Sequence, residues 1–314
     1  MRASIALAAS LLVVAFTAAG FAIASPAAYP LGRGDGRCNV FPPANPWHEN
    51  VASLPLSPLS SEYIASIGAG LDLHPDFGHE RTYGIPYAVV PATQPKVAIH
   101  FTAYGDQSDP GPYPIPRGAP IEGGQGASGD RHVLVLQKHT CKLYELYDAH
   151  QLPDGSWDAA SGAVFNLRSH KLRPDGWTSA DAAGLSIFAG LIRYDEIKRG
   201  YIDHAIRFTV RQTQAGFIHP ATHFASSQTN PALPPMGLRL RLQASYPIAG
   251  FPRTDRIILQ AMKTYGLIVA DNGSPWFFQG ATDPRWNDNV LDALKTVPGS
   301  AFEVVETGPI LRAG

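Results

Sequence analysis

From Val133 to Tyr147 the chain reads VLVLQKHTCKLYELY, two apolar and aromatic runs around a short polar turn. The pattern predicts a β-hairpin. A turn of two or four residues over 138–141 pairs Gln137 with Lys142 and sets His132 opposite Tyr147. Side chains alternate along a strand. His132, Leu134 and Leu136 therefore share a face with Leu143, Glu145 and Tyr147. A three-residue turn shifts the pairing by one and breaks this grouping. The first register is preferred because it buries Leu134, Leu136 and Leu143 together.

Elsewhere the pattern predicts strands in PYAVVP, KVAIHF, GAVFNL, HAIRFTV and LRLRLQA, with AFEVVE closing a sheet. RTDRIILQAMKTYG has the clearest helical period, with Ile257, Ile258, Ala261 and Tyr265 along one side and Gly266 at its end. SSEYIASIG, TSADAAGL and DNVLDALKTVPG are further helix candidates. A long Gly/Pro-rich loop covers 103–129, and a Pro-rich extended wrap covers 25–60. No internal repeat and no linker divides the chain. The expectation is a mainly β fold, sandwich or jelly-roll-like, with a few peripheral helices; an α+β fold is the alternative.

Composition narrows the function classes. The chain has 314 residues, 45% of them hydrophobic and only 16% charged, with a formal net charge of −1. A nucleic-acid binder would carry a basic excess, and a disordered chain would lack the apolar content. Residues 1–24 begin with Arg2, run apolar and end in Ala22-Ile23-Ala24, the features of a cleaved signal peptide. The same run is long enough to be an uncleaved anchor. The expected location is therefore secreted or periplasmic, with 25–314 a single β-rich domain. In an oxidising compartment Cys38 and Cys141 read as one disulfide. It closes a loop of about a hundred residues, worth ~4–5 kcal/mol in the chain-entropy model.

The motifs FPPANPW, YGDQSDPGPYPIP, GDRHVLV, LYELYDA and LRPDGWTSADAAGL together resemble a group of secreted bacterial proteins of no established activity. The resemblance spans the chain from about Phe41 to Val305 and implies a shared fold and a secreted location. It implies no catalytic residue.

Candidate chemistry gathers at the predicted hairpin. A histidine, a carboxylate and a phenol (His132, Glu145, Tyr147) on one face form a possible proton-transfer cluster. A carboxyl among apolar neighbours has a raised pKa and serves as an acid near neutral pH. The plainer reading is a satisfied polar network. Glu122 on the preceding loop supplies a second carboxyl, and glycosidases commonly use two. Asp106, Asp109 and Asp130 compete with it, each with turn chemistry as the plainer reading, and Asp130 alternatively orients Arg131 or His132. In HAIRFTV and LRLRLQA the arginines Arg207, Arg239 and Arg241 alternate with apolar residues. On neighbouring strands they would make a cationic stripe for an anionic sugar chain, or an ordinary solvated face. Trp177 and Trp276, in Gly/Pro/Asn-rich loops, are candidate sugar-stacking platforms, and core packing is the competing role for each. His219 and His223 are four apart, but Pro220 argues against a helix that would put both on one face and no HExxH pattern accompanies them; no nucleophile elbow, P-loop or dinucleotide motif occurs. No cofactor or metal is expected. The leading expectation is a carbohydrate-active hydrolase with Glu145 and Glu122 as its carboxyls, acting on a polysaccharide or oligosaccharide. The rivals are a polysaccharide lyase with Tyr147 or His132 as base, and a non-catalytic glycan-binding or envelope protein.

Overall fold

The computed structural model describes residues 38–312. The expected signal peptide and the start of the wrap lie outside the described residues. Thirteen strands follow in chain order: β1 (His74–Asp76), β2 (Tyr87–Val90), β3 (Ile99–Phe101), β4 (Val133–Gln137), β5 (Lys142–Tyr147), β6 (His150–Gln151), β7 (Trp157–Ala159), β8 (Ser161–Asn166), β9 (Ile206–Val210), β10 (Arg239–Leu242), β11 (Leu267–Asn272), β12 (Phe277–Gln279) and β13 (Phe302–Val305). Five α-helices accompany them: α1 (Ser60–Ile67), α2 (Ile187–Gly190), α3 (Tyr194–Arg199), α4 (Arg253–Thr264) and α5 (Asp288–Leu291). The fold is mainly β with few helices, as expected.

The strands form three sheets. One has six strands in the order β1-β12-β9-β11-β10-β13, one has four in the order β2-β4-β5-β8, and one has three in the order β3-β7-β6. All three mix parallel and antiparallel pairs; β9 and β11 run parallel in the centre of the largest sheet. The four-stranded sheet is covered on both sides. Leu134, Leu136 and Leu143 face the main core, while Val133, Val135, Tyr144 and Leu146 face a smaller one built with Trp157 and Tyr113. A sheet buried on both faces needs apolar residues at nearly every position, which is why VLVLQ is fully buried.

The hairpin register is the expected one. Gln137 pairs with Lys142 and Leu134 with Glu145 across a turn at 138–141. His139 (φ 64°) and Cys141 (φ 52°) take left-handed backbone there, a conformation histidine visits more readily than most residues. Cys141 is bonded to Cys38, with Cα atoms 5.2 Å apart. Helices α1 and α4 lie where the periodicity puts them, and α1 stops at Gly68 in left-handed conformation. DNVLDALKTVPG opens as α5 and tightens into a 3-10 turn at Asp292–Thr296.

TSADAAGL is not a helix. Its short polar side chains bind the local backbone instead. Ser179 Oγ accepts from Asp181 N, Asp181 Oδ1 accepts from Ala183 N, and Thr178 Oγ1 donates to Asp181 O. Such bonds compete with a helical ladder. Gly184 is required at its end: φ is +73°, and a Cβ there would lie 2.2 Å from Thr222 Oγ1. The helix comes later, as α2, where Ser186 caps Ala189 N.

Candidate functional site

The face of the hairpin that carries His132, Glu145 and Tyr147 packs against the main core; the His132 and Tyr147 rings stay close, and Glu145 is engaged apart from them. Glu145 has no exposed surface. Its oxygens accept from Ser186 Oγ (3.0 Å), Ile187 N (3.0 Å) and Phe188 N (2.9 Å), so it caps the start of α2. Burial pushes its carboxyl up to about 7 against those three donors. No substrate reaches it, and the expected catalytic role is corrected to one of holding α2. Helix α2 in turn lies against the large sheet: a Cβ on Gly190 would meet Arg207 Cβ at 2.8 Å.

His132 turns to Glu122. Nδ1 donates to Glu122 Oε2 (2.6 Å) and Nε2 donates to Ala180 O (3.0 Å). Both ring nitrogens face acceptors, so only the doubly protonated imidazolium satisfies both. Burial opposes the ring's charge, but Glu122 outweighs it and lifts the pKa to about 9. Burial likewise raises Glu122, and the His132 cation overrides it to leave the carboxyl below its ordinary value. The loop that carries Glu122 is shaped by Arg131, whose guanidinium donates to the carbonyls of Gln125, Ala127 and Ala149.

Arg207 is the centre of the cluster. It is 1% exposed. Nε and Nη2 donate to Asp181 Oδ2 (3.1 and 2.7 Å), and Nη1 donates to Gln279 Oε1. An arginine only donates, so the Gln279 amide offers its NH₂ to Asp76, its other partner. Asp271, half-buried at the end of β11, feels Asp181, Arg207 and Asp130. Burial first, and then the Asp181 charge, push its carboxyl up to about 7 despite Arg207. Burial and the Glu122 charge also raise Asp76. Tyr147, half-buried, lies within reach of the charges of Asp130 and Asp271, and its ring centroid is 5.8 Å from that of His132. Burial is the main reason its phenol sits above the ordinary value.

Four buried or half-buried carboxyls (Asp76, Glu122, Asp181, Asp271), with exposed Asp130 at their edge, thus share two cations, Arg207 and His132. The sequence pattern singled out Glu122, Asp130, His132, Tyr147 and Arg207. It missed Asp76, Asp181, Asp271 and Gln279. Asp181 lies in LRPDGWTSADAAGL, a motif already noticed, and for Asp271 an acid closing the apolar run LIVA was the available signal. Among the described residues, ligand atoms of Glu122, Asp130 and His132 fall within 4.8 Å of one another. Both ring nitrogens of His132 are already engaged, by Glu122 Oε2 and Ala180 O.

The other expected binding residues lie elsewhere. Strand β11 separates β9 from β10, so the arginines form no continuous stripe. Arg239 is 1% exposed and donates to Tyr265 O and Pro46 O. Arg241 pairs with Glu303 (2.7 Å) and holds the carbonyls of Val51 and Leu54. Both arginines fasten the segment before α1 to the sheet rather than line a groove. Trp276 has no exposed surface, donates to Gly68 O (2.8 Å) and stacks on Phe208. It is a core residue, and the sugar-platform role is corrected. Trp177 is half-buried, with the Arg173 guanidinium 5.7 Å from its ring.

No protein-family model matches the chain, and no curated protein or solved structure is significantly similar to it. The chemistry of the site is therefore argued from its own geometry.

Proposed function

We propose that the protein is a secreted carbohydrate-active enzyme, a glycoside hydrolase, with Glu122 as its ionised carboxyl and Asp271 as its proton-holding one. The observation that carries this reading is the geometry of the cluster: Glu122 is bonded to the buried His132 (2.6 Å), while Asp271 sits beside Asp181 and Arg207, surroundings that drive the two carboxyls apart. His132 holds Glu122 below its ordinary value, while burial and Asp181 hold Asp271 at about 7. Paired carboxyls driven apart by their surroundings are the working parts of glycosidic hydrolysis. Both are half-buried, whereas Glu145 has no exposed surface, which favours this pair over Glu145 as the reacting carboxyls. Secretion is supported by the apolar start of the chain and by the disulfide.

A lyase would need Tyr147 or His132 as a base. Tyr147 holds its proton more tightly than a free phenol, and both His132 nitrogens already donate. That disfavours the lyase. The test is incubation of the purified protein with a glycan panel. New reducing ends that disappear in Glu122→Gln and Asp271→Asn support hydrolysis by this pair. An unsaturated uronate product would establish a lyase, and retention without products a binder; either result overturns the proposal.

A further inference from the structure

A cavity beside α3 is lined by none of the cluster residues named above. It has a volume of about 490 Å³ and is bounded by the segment after Cys38, by α3 and by Tyr265. That size falls in the range that holds small-molecule ligands. Its floor is a buried polar group. Arg193 gives side-chain N–H bonds to Phe188 O, Leu191 O and Glu196, and His204 Nε2 lies 3.0 Å from Glu196 Oε1. Glu196 also accepts from Arg193 N (2.8 Å), and its carboxyl is held down at about 2: burial opposes ionisation, but Arg193 and His204 outweigh it. Arg199 is bonded to Asp203 (2.9 Å), and Asp195 to Arg285 (3.0 Å).

Every charge on this wall is therefore already matched. A charged ligand entering here would have to break an existing pair before making its own. The phenols are different. Tyr87, Tyr201 and Tyr265 line the cavity, and their hydroxyls make no hydrogen bond to any described residue. Each is both donor and acceptor. Tyr201 is 48% exposed, and the Arg199 guanidinium lies 4.1 Å above one face of its ring. Rings with wet polar edges and free hydroxyls suit a ligand that has apolar faces and many hydroxyl groups.

We infer that this cavity is a binding site for a neutral saccharide, separate from the carboxyl cluster and independent of the reaction proposed for it. Cys38 and Phe41 form one wall, and the bond from Cys38 to Cys141 anchors that wall to the β4–β5 turn.

Saturation-transfer NMR on the full-length protein tests the inference, with cellotriose, maltotriose and triacetylchitotriose as probes and a trigalacturonate and a glucosamine trimer as charged controls. At least one neutral probe should bind. Tyr201→Ala, a change at the surface, should weaken it about tenfold or more. Tyr87→Phe, which keeps the ring, should weaken it roughly three- to tenfold, the value of one hydrogen bond. Asp271→Asn should leave this binding unchanged. Three results would overturn the inference: no neutral probe binds; a charged control binds more tightly than all of them; or binding survives Tyr201→Ala and is lost in Asp271→Asn. The last would put the sugar in the carboxyl cluster and leave the hydrolase proposal standing.

Discussion

Two buried charged groups lie against α2, and they are built on opposite terms. Around Arg193 the ledger closes: one guanidinium meets one carboxylate, its side chain giving three bonds to Phe188 O, Leu191 O and Glu196, and Glu196 also accepts from Arg193 N. Around Arg207 it does not, because four buried or half-buried carboxyls (Asp76, Glu122, Asp181, Asp271), with exposed Asp130 at their edge, meet two cations. A closed group holds backbone in place and has no proton to give. An open one must leave some carboxyls protonated, since unpaired charge is too costly to bury. Reactivity is expected where the imbalance is.

The largest effect expected from this contrast is on stability, at Glu196. Glu196→Ala leaves Arg193 buried without its counter-charge and should cost about 3–5 kcal/mol in denaturant unfolding. The pH dependence should have a matching sign. The folded-state pKa of Glu196, about 2, lies below its unfolded value. Its contribution is therefore present above the ordinary carboxylate range and is lost as pH falls toward 2. Glu145 and Asp271, both raised to about 7, behave in the opposite way. They favour the fold most when protonated, and stability falls as pH rises from about 4 to 7. A melting temperature that climbs steadily from pH 4 to pH 8 would break the contrast.

The next effect is on activity. Glu122→Gln and Asp271→Asn should each lower turnover by about 10²-fold or more while the fold persists. The reaction needs Glu122 ionised and Asp271 protonated. The kcat/KM profile should therefore fall below the ordinary carboxylate range on the acid side, and fall again through about 7 on the alkaline side. An activity that rises steadily into alkaline pH would reassign the chemistry to a base.

Glu145 sharpens the same contrast more gently. All three of its partners are donors, so the NH₂ of Glu145→Gln would face one of them. The cost should be roughly 1–3 kcal/mol, with specific activity per folded molecule unchanged. An undiminished melting temperature with a hundredfold loss of turnover would move the site back to Glu145.

How much of this was legible follows from how local each determinant is. The hairpin register, α1, α4 and the Cys38–Cys141 bond depend on spacing within a short run or on a two-member set, and all were readable. Strand β11 was missed because LIVA is a short apolar run whose type periodicity alone does not settle, and it follows Gly266 with no alternation of its own. Once β11 lies between β9 and β10, the arginine stripe disappears. The partner of His132 was misjudged for a related reason. Alternation correctly put Glu145 on its face, but alternation is blind to what arrives from residues 180–188. That distant segment supplies the donors that claim Glu145 and the carbonyl that fixes His132.

The smallest effect concerns a carboxyl with neither kind of company. Asp255, in the first turn of α4, has no exposed surface, and neither of its oxygens has a hydrogen-bond partner among the described residues. Burial alone pushes it up to about 7. Its charge therefore weighs against the fold only once pH rises past that value, and its protonated form is tolerated below. Asp255→Asn keeps the shape and removes the charge. It should raise the melting temperature by ~2–4 °C at pH 8, the shift that about 1 kcal/mol produces in a domain of this size. At pH 4 it should do almost nothing. An equal gain at both pH values would mean that the carboxyl's shape, not its charge, is the burden. A loss at pH 8 would mean that Asp255 is ionised and rewarded by the exposed amides at the start of α4.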